Sequence, residues 1–205
     1  MVYSIFHAVL RVVFKVLFRW EIYGRENIPA SGGAILAPNH VSLLDPPLIG
    51  TSIRRPVYFF ARKDLFRPRP WGWLLKKIHS IPIDRENPGP GAFKAILEFL
   101  RSGRVVVIFP EGTRGNGREL RKAKSGIGMI AARSGVPVIP AYISGAAAVL
   151  PRSARMIRCR KVKIIYGPPL EFAPADGKER GGTDFKRIGA QVMNEIAKLK
   201  RLVGE

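Results

Sequence analysis

Polar residues recur every fourth position through the start of the chain, at His7, Arg11, Lys15 and Arg19. Ser4 apart, the rest of residues 1–18 is dominated by Ile, Phe, Val and Leu. On a helix this spacing makes one narrow, slowly winding stripe. A membrane-crossing helix needs about 20 consecutive apolar residues, and Arg11 and Lys15 interrupt the run at its middle. A signal peptide would carry its positive charge before the apolar stretch and end at a small-residue cleavage site; neither feature is evident. The pattern therefore predicts an amphipathic helix over residues 1–20, lying in a membrane interface with its basic edge, His7 included, toward lipid headgroups. Each basic residue near an anionic surface contributes roughly 1 kcal/mol. The competing reading packs this helix on the protein's own core with its basic edge in water.

After Trp20 the periodicity changes. Short apolar runs predict strands at Glu21–Gly24, Ala34–Ala37, Val57–Ala61, Ser80–Asp84, Val105–Phe109, Val136–Tyr142 and Val162–Tyr166. Several are nearly continuous Val/Ile runs, as strands buried on both faces require. Between them the pattern predicts helices near 43–53, 71–78, 89–102, 122–134 and 184–202. Gly and Pro punctuate the boundaries, at Pro29–Gly33, Pro88–Gly91, Gly115–Gly117 and Gly167–Pro169. Strand–helix alternation argues for an α/β fold: a mixed, largely parallel sheet flanked by helices, forming a single domain over residues 21–205.

Composition narrows the partners. The 205 residues are 46% hydrophobic, enough for a packed core, and carry a formal net charge of +20. Such a chain should seek polyanions: an anionic membrane surface, an acidic carrier protein, phosphorylated small molecules or nucleic acid. Residues 152–163 concentrate the charge in Arg152, Arg155, Arg158, Arg160, Lys161 and Lys163. That cluster has no interleaved aromatic for stacking on bases, and the chain has no recognisable nucleic-acid motif, so no nucleic-acid partner is expected. The one cysteine, Cys159, excludes an intramolecular disulfide. Arginines beside it would favour a reactive thiol, yet no histidine lies near it in sequence.

Two stretches carry candidate chemistry. In NHVSLLDPP, residues 39–47, a strand ends at Pro38 and places Asn39 and His40 at its C-terminal edge, where open α/β sheets bind ligands. Asp45 has two structural readings: it closes a capping box begun by Ser42, or it caps the helix itself with Pro46 as the first helical residue. It also has a functional one. On one straight helix, residues five apart point about 140° apart, but a strand-to-helix turn brings His40 and Asp45 together. Asp45 then fixes the imidazole tautomer and stabilises its protonated form, as a general base requires. In VVVIFPEGTR, residues 105–114, a buried strand runs into a charged turn of Glu111, Gly112, Thr113 and Arg114. An arginine there suits bidentate recognition of phosphate; the structural alternative is a Glu–Arg pair that orders a loop.

Together, NHVSLLDP and FPEGTR resemble the glycerolipid acyltransferase family, whose best-known members make phosphatidic acid from 1-acylglycerol-3-phosphate. The family's four blocks occur here in order: Asn39, His40 and Asp45; SIPIDR ending at Arg85; Phe109–Arg114; and VPVIPA, residues 136–141. One departure is His79, where a glycine often precedes the second block. The resemblance implies that His40 is a general base, oriented by Asp45, for attack of an acceptor hydroxyl on an acyl thioester. It implies that Arg85 and Arg114 hold the acceptor phosphate, with Lys124 adding to the field, and that Glu111 orients the loop or contacts the glycerol. Gly112 would allow close backbone approach beside Thr113. Lys122 reads as a solvated residue at a helix start. The implied donor is acyl-CoA or acyl-carrier protein, the implied acceptor lysophosphatidic acid at the cytoplasmic face of a membrane. No cofactor and no metal are implied. Pro137 and Pro140 argue against a regular central strand ladder for the fourth block, which reads either as a core strand with irregular ends or as a segment lining an acyl tunnel.

Overall fold

The computed structural model describes residues 2–67, 69–83, 90–151, 156–173 and 182–204. Its strands are β1 (Glu21–Tyr23), β2 (Ala34–Pro38), β3 (Val57–Arg62), β4 (Ser80–Ile83), β5 (Val105–Val107), β6 (Val138–Ser144) and β7 (Lys163–Tyr166). Its helices are α1 (Val2–Phe18), α2 (Asp45–Ser52), α3 (Arg69–Lys77), α4 (Pro90–Arg101), α5 (Ser125–Ser134), α6 (Ala146–Val149) and α7 (Gly182–Leu202). The strands form one sheet in the order β1-β7-β6-β2-β5-β3-β4, parallel at every pairing except β6–β7. All seven expected strands and the mixed, largely parallel α/β architecture are present.

Alternation along β2 divides the core. Ala34 and Leu36 point to the layer holding α1 and α2, where Ile49 and Phe14 are buried. Ile35 and Ala37 point to the opposite layer, with Leu100 of α4, Ile127 of α5 and Ile196 of α7. Because β2, β5 and β6 are parallel neighbours, their C-terminal ends meet at one edge of the sheet. That adjacency brings the segment after Pro38 beside the segment after Val107, although the two lie some 70 residues apart in sequence.

The fourth block is a core strand with an irregular start, as one of its two readings had it, but Pro140 is not kept out of the ladder: it lies inside β6, in mid-sheet, opposite Ala37. Its missing N–H falls where the β7 ladder stops at Tyr166. The Gly167 N–H still donates to the Pro140 carbonyl at 2.8 Å, and pairing resumes one step out of register at Val138–Leu170. A bulge thus absorbs the proline.

The glycine usual before the second block also finds its reason. His79 has φ 62°, in the left-handed region that favours glycine. Its carbonyl accepts the Phe59 N–H at 3.1 Å, and its ring stacks on Tyr58 with centroids 4.7 Å apart.

The first helix is packed rather than free. Phe14 and Phe18 of α1 are buried in the core, and His7 Nε2 lies 3.0 Å from the Ile53 carbonyl after α2. His7 therefore faces the protein, correcting its assignment to the lipid-facing edge. The outward row of α1, Ile5, Val9, Val12 and Val16, is apolar, and each residue is more than half exposed. Among the described residues, no helix is long and apolar enough to cross a membrane.

Candidate active site

Where β2 ends, Asn39 prolongs the ladder with its side chain. Its Oδ1 accepts the Ile143 N–H at 2.7 Å and its Nδ2 donates to the Ile143 carbonyl at 3.2 Å, all buried. The next backbone, that of His40, is held on both sides by the loop after β5. The His40 N–H donates to Glu111 Oε1 at 2.9 Å, and its carbonyl accepts the Gly115 N–H at 2.7 Å.

This anchoring fixes the imidazole. The ring stacks on Phe109 with centroids 4.0 Å apart, and Nδ1 lies 2.8 Å from Asp45 Oδ2. The same oxygen accepts the backbone N–H of Val41 at 2.6 Å and of Ser42 at 2.7 Å. Three donors converge on one oxygen of a fully buried carboxylate. With Nδ1–H committed to Asp45, Nε2 presents its lone pair, and it makes no hydrogen bond among the described residues. The side chain is only 10% exposed, so water reaches it sparingly.

Neither capping alternative is realised in full, yet Asp45 still helps to shape the helix start while it holds His40. Helix α2 starts at Asp45, its cap Leu44 makes no side-chain capping bond, and Pro46 and Pro47 fill the first positions. Asp45 reaches back to the Ser42 N–H as the acid of a capping box does. Ser42 Oγ does not complete that box; it accepts the Leu44 N–H at 3.3 Å and donates to the Leu150 carbonyl. Asp45 is not itself the cap.

Glu111 is 2% exposed. Its Oε2 accepts the Arg121 N–H at 3.1 Å while Oε1 serves His40. Burial pushes its pKa above the ordinary carboxylate value, and the two backbone N–H groups oppose that rise. Both carboxylate oxygens are spent on backbone, tying the turn after β5 to the turn after β2.

The turn itself depends on Gly112. Its φ is 71°, its N–H donates to Phe109 O at 3.0 Å, and a Cβ would come 3.0 Å from Lys124 Cγ. Lys124 lies against this glycine, caps α5 and donates its backbone N–H to Pro110 O at 2.8 Å. Thr113 Oγ1 accepts from Arg121 Nη1 at 2.8 Å. Arg114 is half-buried in the same loop, and Lys122 is exposed. Arg85 lies outside the described residues. Sequence reasoning missed three members of this constellation: Asn39 as a strand clamp, Phe109 as the stacking partner of His40, and Arg121. Only the first two had a signal, since each sits inside a motif at a strand end. Cys159 is exposed on the loop before β7.

Residues 19–144 match the family described as Acyltransferase. A 1-acyl-sn-glycerol-3-phosphate acyltransferase of Bacillus subtilis is 34% identical over 198 residues, covering 94% of this chain and 96% of that one. The chloroplastic 1-acyl-sn-glycerol-3-phosphate acyltransferase BAT2 of Brassica napus is 29% identical over 163 residues, and the match takes in 78% of this chain but 47% of the plant protein. Among solved structures, the 1-acyl-sn-glycerophosphate (LPA) acyltransferase PlsC of Thermotoga maritima aligns with a TM-score of 0.78 at 26% identity, covering 97% of this chain and 80% of that one.

Proposed function

The chain belongs to the acyltransferase family and is an O-acyltransferase, and on that premise we propose that it acylates the free hydroxyl of 1-acylglycerol-3-phosphate, giving phosphatidic acid. The acyl group comes from a thioester, acyl-CoA or acyl-carrier protein. The observation that carries this reading is the buried His40–Asp45 pair, with Nδ1 held at 2.8 Å and Nε2 free of protein partners among the described residues.

In the reaction, His40 Nε2 takes the proton of the acceptor hydroxyl as that oxygen attacks the thioester carbonyl. The tetrahedral intermediate collapses, the C–S bond breaks, and the imidazolium returns its proton to the departing thiolate. Ester and free thiol are the products, and no covalent acyl-enzyme forms. General-base assistance of this kind is worth roughly 10²- to 10⁴-fold, and holding the two substrates together supplies much of the remainder. Asp45 stabilises the imidazolium as it forms.

The acceptor phosphate is assigned to Arg114 and Arg85, in the field of Lys124, with Gly112 and Thr113 admitting it close to the backbone. Glu111 orients the loop. Contact with the glycerol is dropped from its role, since both its oxygens are occupied.

A lipid acceptor favours a site at the bilayer surface. The outward row of α1 is apolar, and Leu43, Leu65, Met156 and Ile157 are exposed on segments that leave the catalytic edge of the sheet. We place the protein peripherally on the cytoplasmic leaflet, held by α1 and its basic neighbours.

The test is thiol release from acyl-CoA and from acyl-carrier protein across a panel of acceptors, with products identified by mass spectrometry. Lysophosphatidate should be acylated fastest. Faster turnover with glycerol-3-phosphate, another lysophospholipid or a non-phosphate lipid would reassign the acceptor.

A further inference from the structure

A second basic groove lies away from His40, between α1 and the edge strand β1. It encloses about 240 Å³ and is lined by Arg11, Lys15, Trp20, Ile22 and Arg25. Arg11 and Lys15 are one turn apart on α1, while Arg25 arrives from the 3-10 turn Arg25–Asn27 that follows β1. Separate elements thus converge their cations on one space. Among the described residues none of the three is hydrogen-bonded or ion-paired. The carboxylate of Glu21, on the neighbouring strand, is taken by Lys161 at 2.6 Å and by the Tyr23 hydroxyl at 2.9 Å. Burial, and then the nearby Arg11 and Arg54 charges, hold the Arg25 guanidinium below its usual pKa. Like charges gathered without a counter-charge are what an anion site looks like before its anion binds.

The placement on α1 says where that anion would come from. At 100° per residue, the Arg11–Lys15 row falls between the buried Phe14–Phe18 row and the exposed Val12–Val16 row. With the exposed row in the acyl zone of a bilayer, the groove sits at headgroup depth. Trp20, an aromatic with an apolar body and an N–H donor, suits that depth as well. A phosphate matches the fork of Arg25, and Lys15 adds a point charge.

We infer that this groove binds the phosphate of a bilayer phospholipid headgroup, at a site separate from the acceptor site beside His40. The inference rests on the membrane-surface reading above and goes beyond it, since diffuse attraction would need no particular arginine.

The test compares charge with geometry. Wild type, Arg25→Gln, Arg25→Lys, Arg19→Gln and Arg19→Lys are titrated with phosphatidylcholine vesicles with and without phosphatidylglycerol. A built site predicts that Arg25→Gln weakens binding to the anionic vesicles roughly tenfold, and that Arg25→Lys, which keeps the charge, recovers only part of it. Arg19→Gln loses no more than about fivefold and Arg19→Lys nothing. If Arg25→Lys binds like wild type, the groove is only part of a diffuse surface charge and the inference is overturned. The Trp20 indole resonance identifies the source. It should shift with short-chain phosphatidylglycerol and far less with inorganic phosphate. An equal response to both would make the ligand free phosphate and overturn the headgroup assignment. Wild-type turnover in neutral detergent micelles is measured apart. Its absence with lysophosphatidate as acceptor would sink the proposed reaction without altering the vesicle comparison.

Discussion

Asparagine at position 45 separates charge from position. Asp45 Oδ2 accepts Val41 N–H at 2.6 Å, Ser42 N–H at 2.7 Å and His40 Nδ1–H at 2.8 Å, whereas Oδ1 is buried with no hydrogen-bond partner among the described residues. In Asp45→Asn, the two backbone donors force the amide oxygen into the Oδ2 position, because an NH2 there would face two N–H groups. The His40 tautomer is therefore kept, in contrast to the wrong tautomer that the corresponding change imposes in a serine-protease triad, at about 10⁴-fold in rate. What is lost is the negative charge beside the nascent imidazolium, about 3 kcal/mol for a close pair under an intermediate dielectric, or roughly 10²-fold in kcat/KM. Stability also falls, by about 4 kcal/mol, as three charge-assisted bonds become neutral ones and the amide NH2 is buried without an acceptor. The assay is initial-rate thiol release, with urea denaturation in parallel. An unchanged kcat/KM would mean that His40 does not become charged in the rate-limiting step. A loss near 10⁴-fold would mean that Val41 and Ser42 do not hold the amide.

Substitutions at three further positions probe the scaffold. Glu111 has a raised folded-state pKa, so the folded protein binds its proton more tightly than the unfolded chain; the stability this gives is present below the ordinary value of 4.5 and lost as pH rises through the raised one. Glu111→Gln should flatten that decline in urea midpoints measured from about pH 4 to 7, and an undiminished slope would assign it to another group. Asn39→Ala leaves the buried N–H and C=O of Ile143 unpaired and should cost about 3 kcal/mol, read as a urea midpoint shift. For His79, glycine relieves the left-handed backbone while losing the Tyr58 stack, so the two nearly cancel; alanine loses the stack and keeps the strain. His79→Ala should thus be less stable than His79→Gly by about 1 kcal/mol in the same urea assay.

The seven strands were readable because buried parallel strands are near-continuous Val/Ile runs, as at Val105–Val107, and Gly and Pro mark their ends. Strand order was not readable from periodicity, yet it is the β2–β5 pairing that sets His40 against Glu111. Pro140 misled the reading because a proline's tolerance depends on where the neighbouring ladder ends, which is a tertiary fact. The stripe on α1 was legible as a pattern but not in its orientation. Helical spacing alone does not say which face meets the core, and His7 turned inward while the valines stayed out. At the site, motif order pointed to His40 and Asp45. The extra hydrogen bonds on Asp45 Oδ2 depend on the exact path of the 40–44 turn, and Arg121 enters through a backbone N–H that any residue supplies.

The proposed reaction turns on His40 as the base that deprotonates the lysophosphatidate hydroxyl. Its most direct test is the rate of thiol release by wild type and His40→Ala, with lysophosphatidate and acyl-CoA or acyl-carrier protein at saturating donor. In His40→Ala, kcat should fall by roughly 10³-fold or more, with urea stability changing by much less than for Asp45→Asn. Turnover by His40→Ala at the wild-type rate would contradict that role for His40.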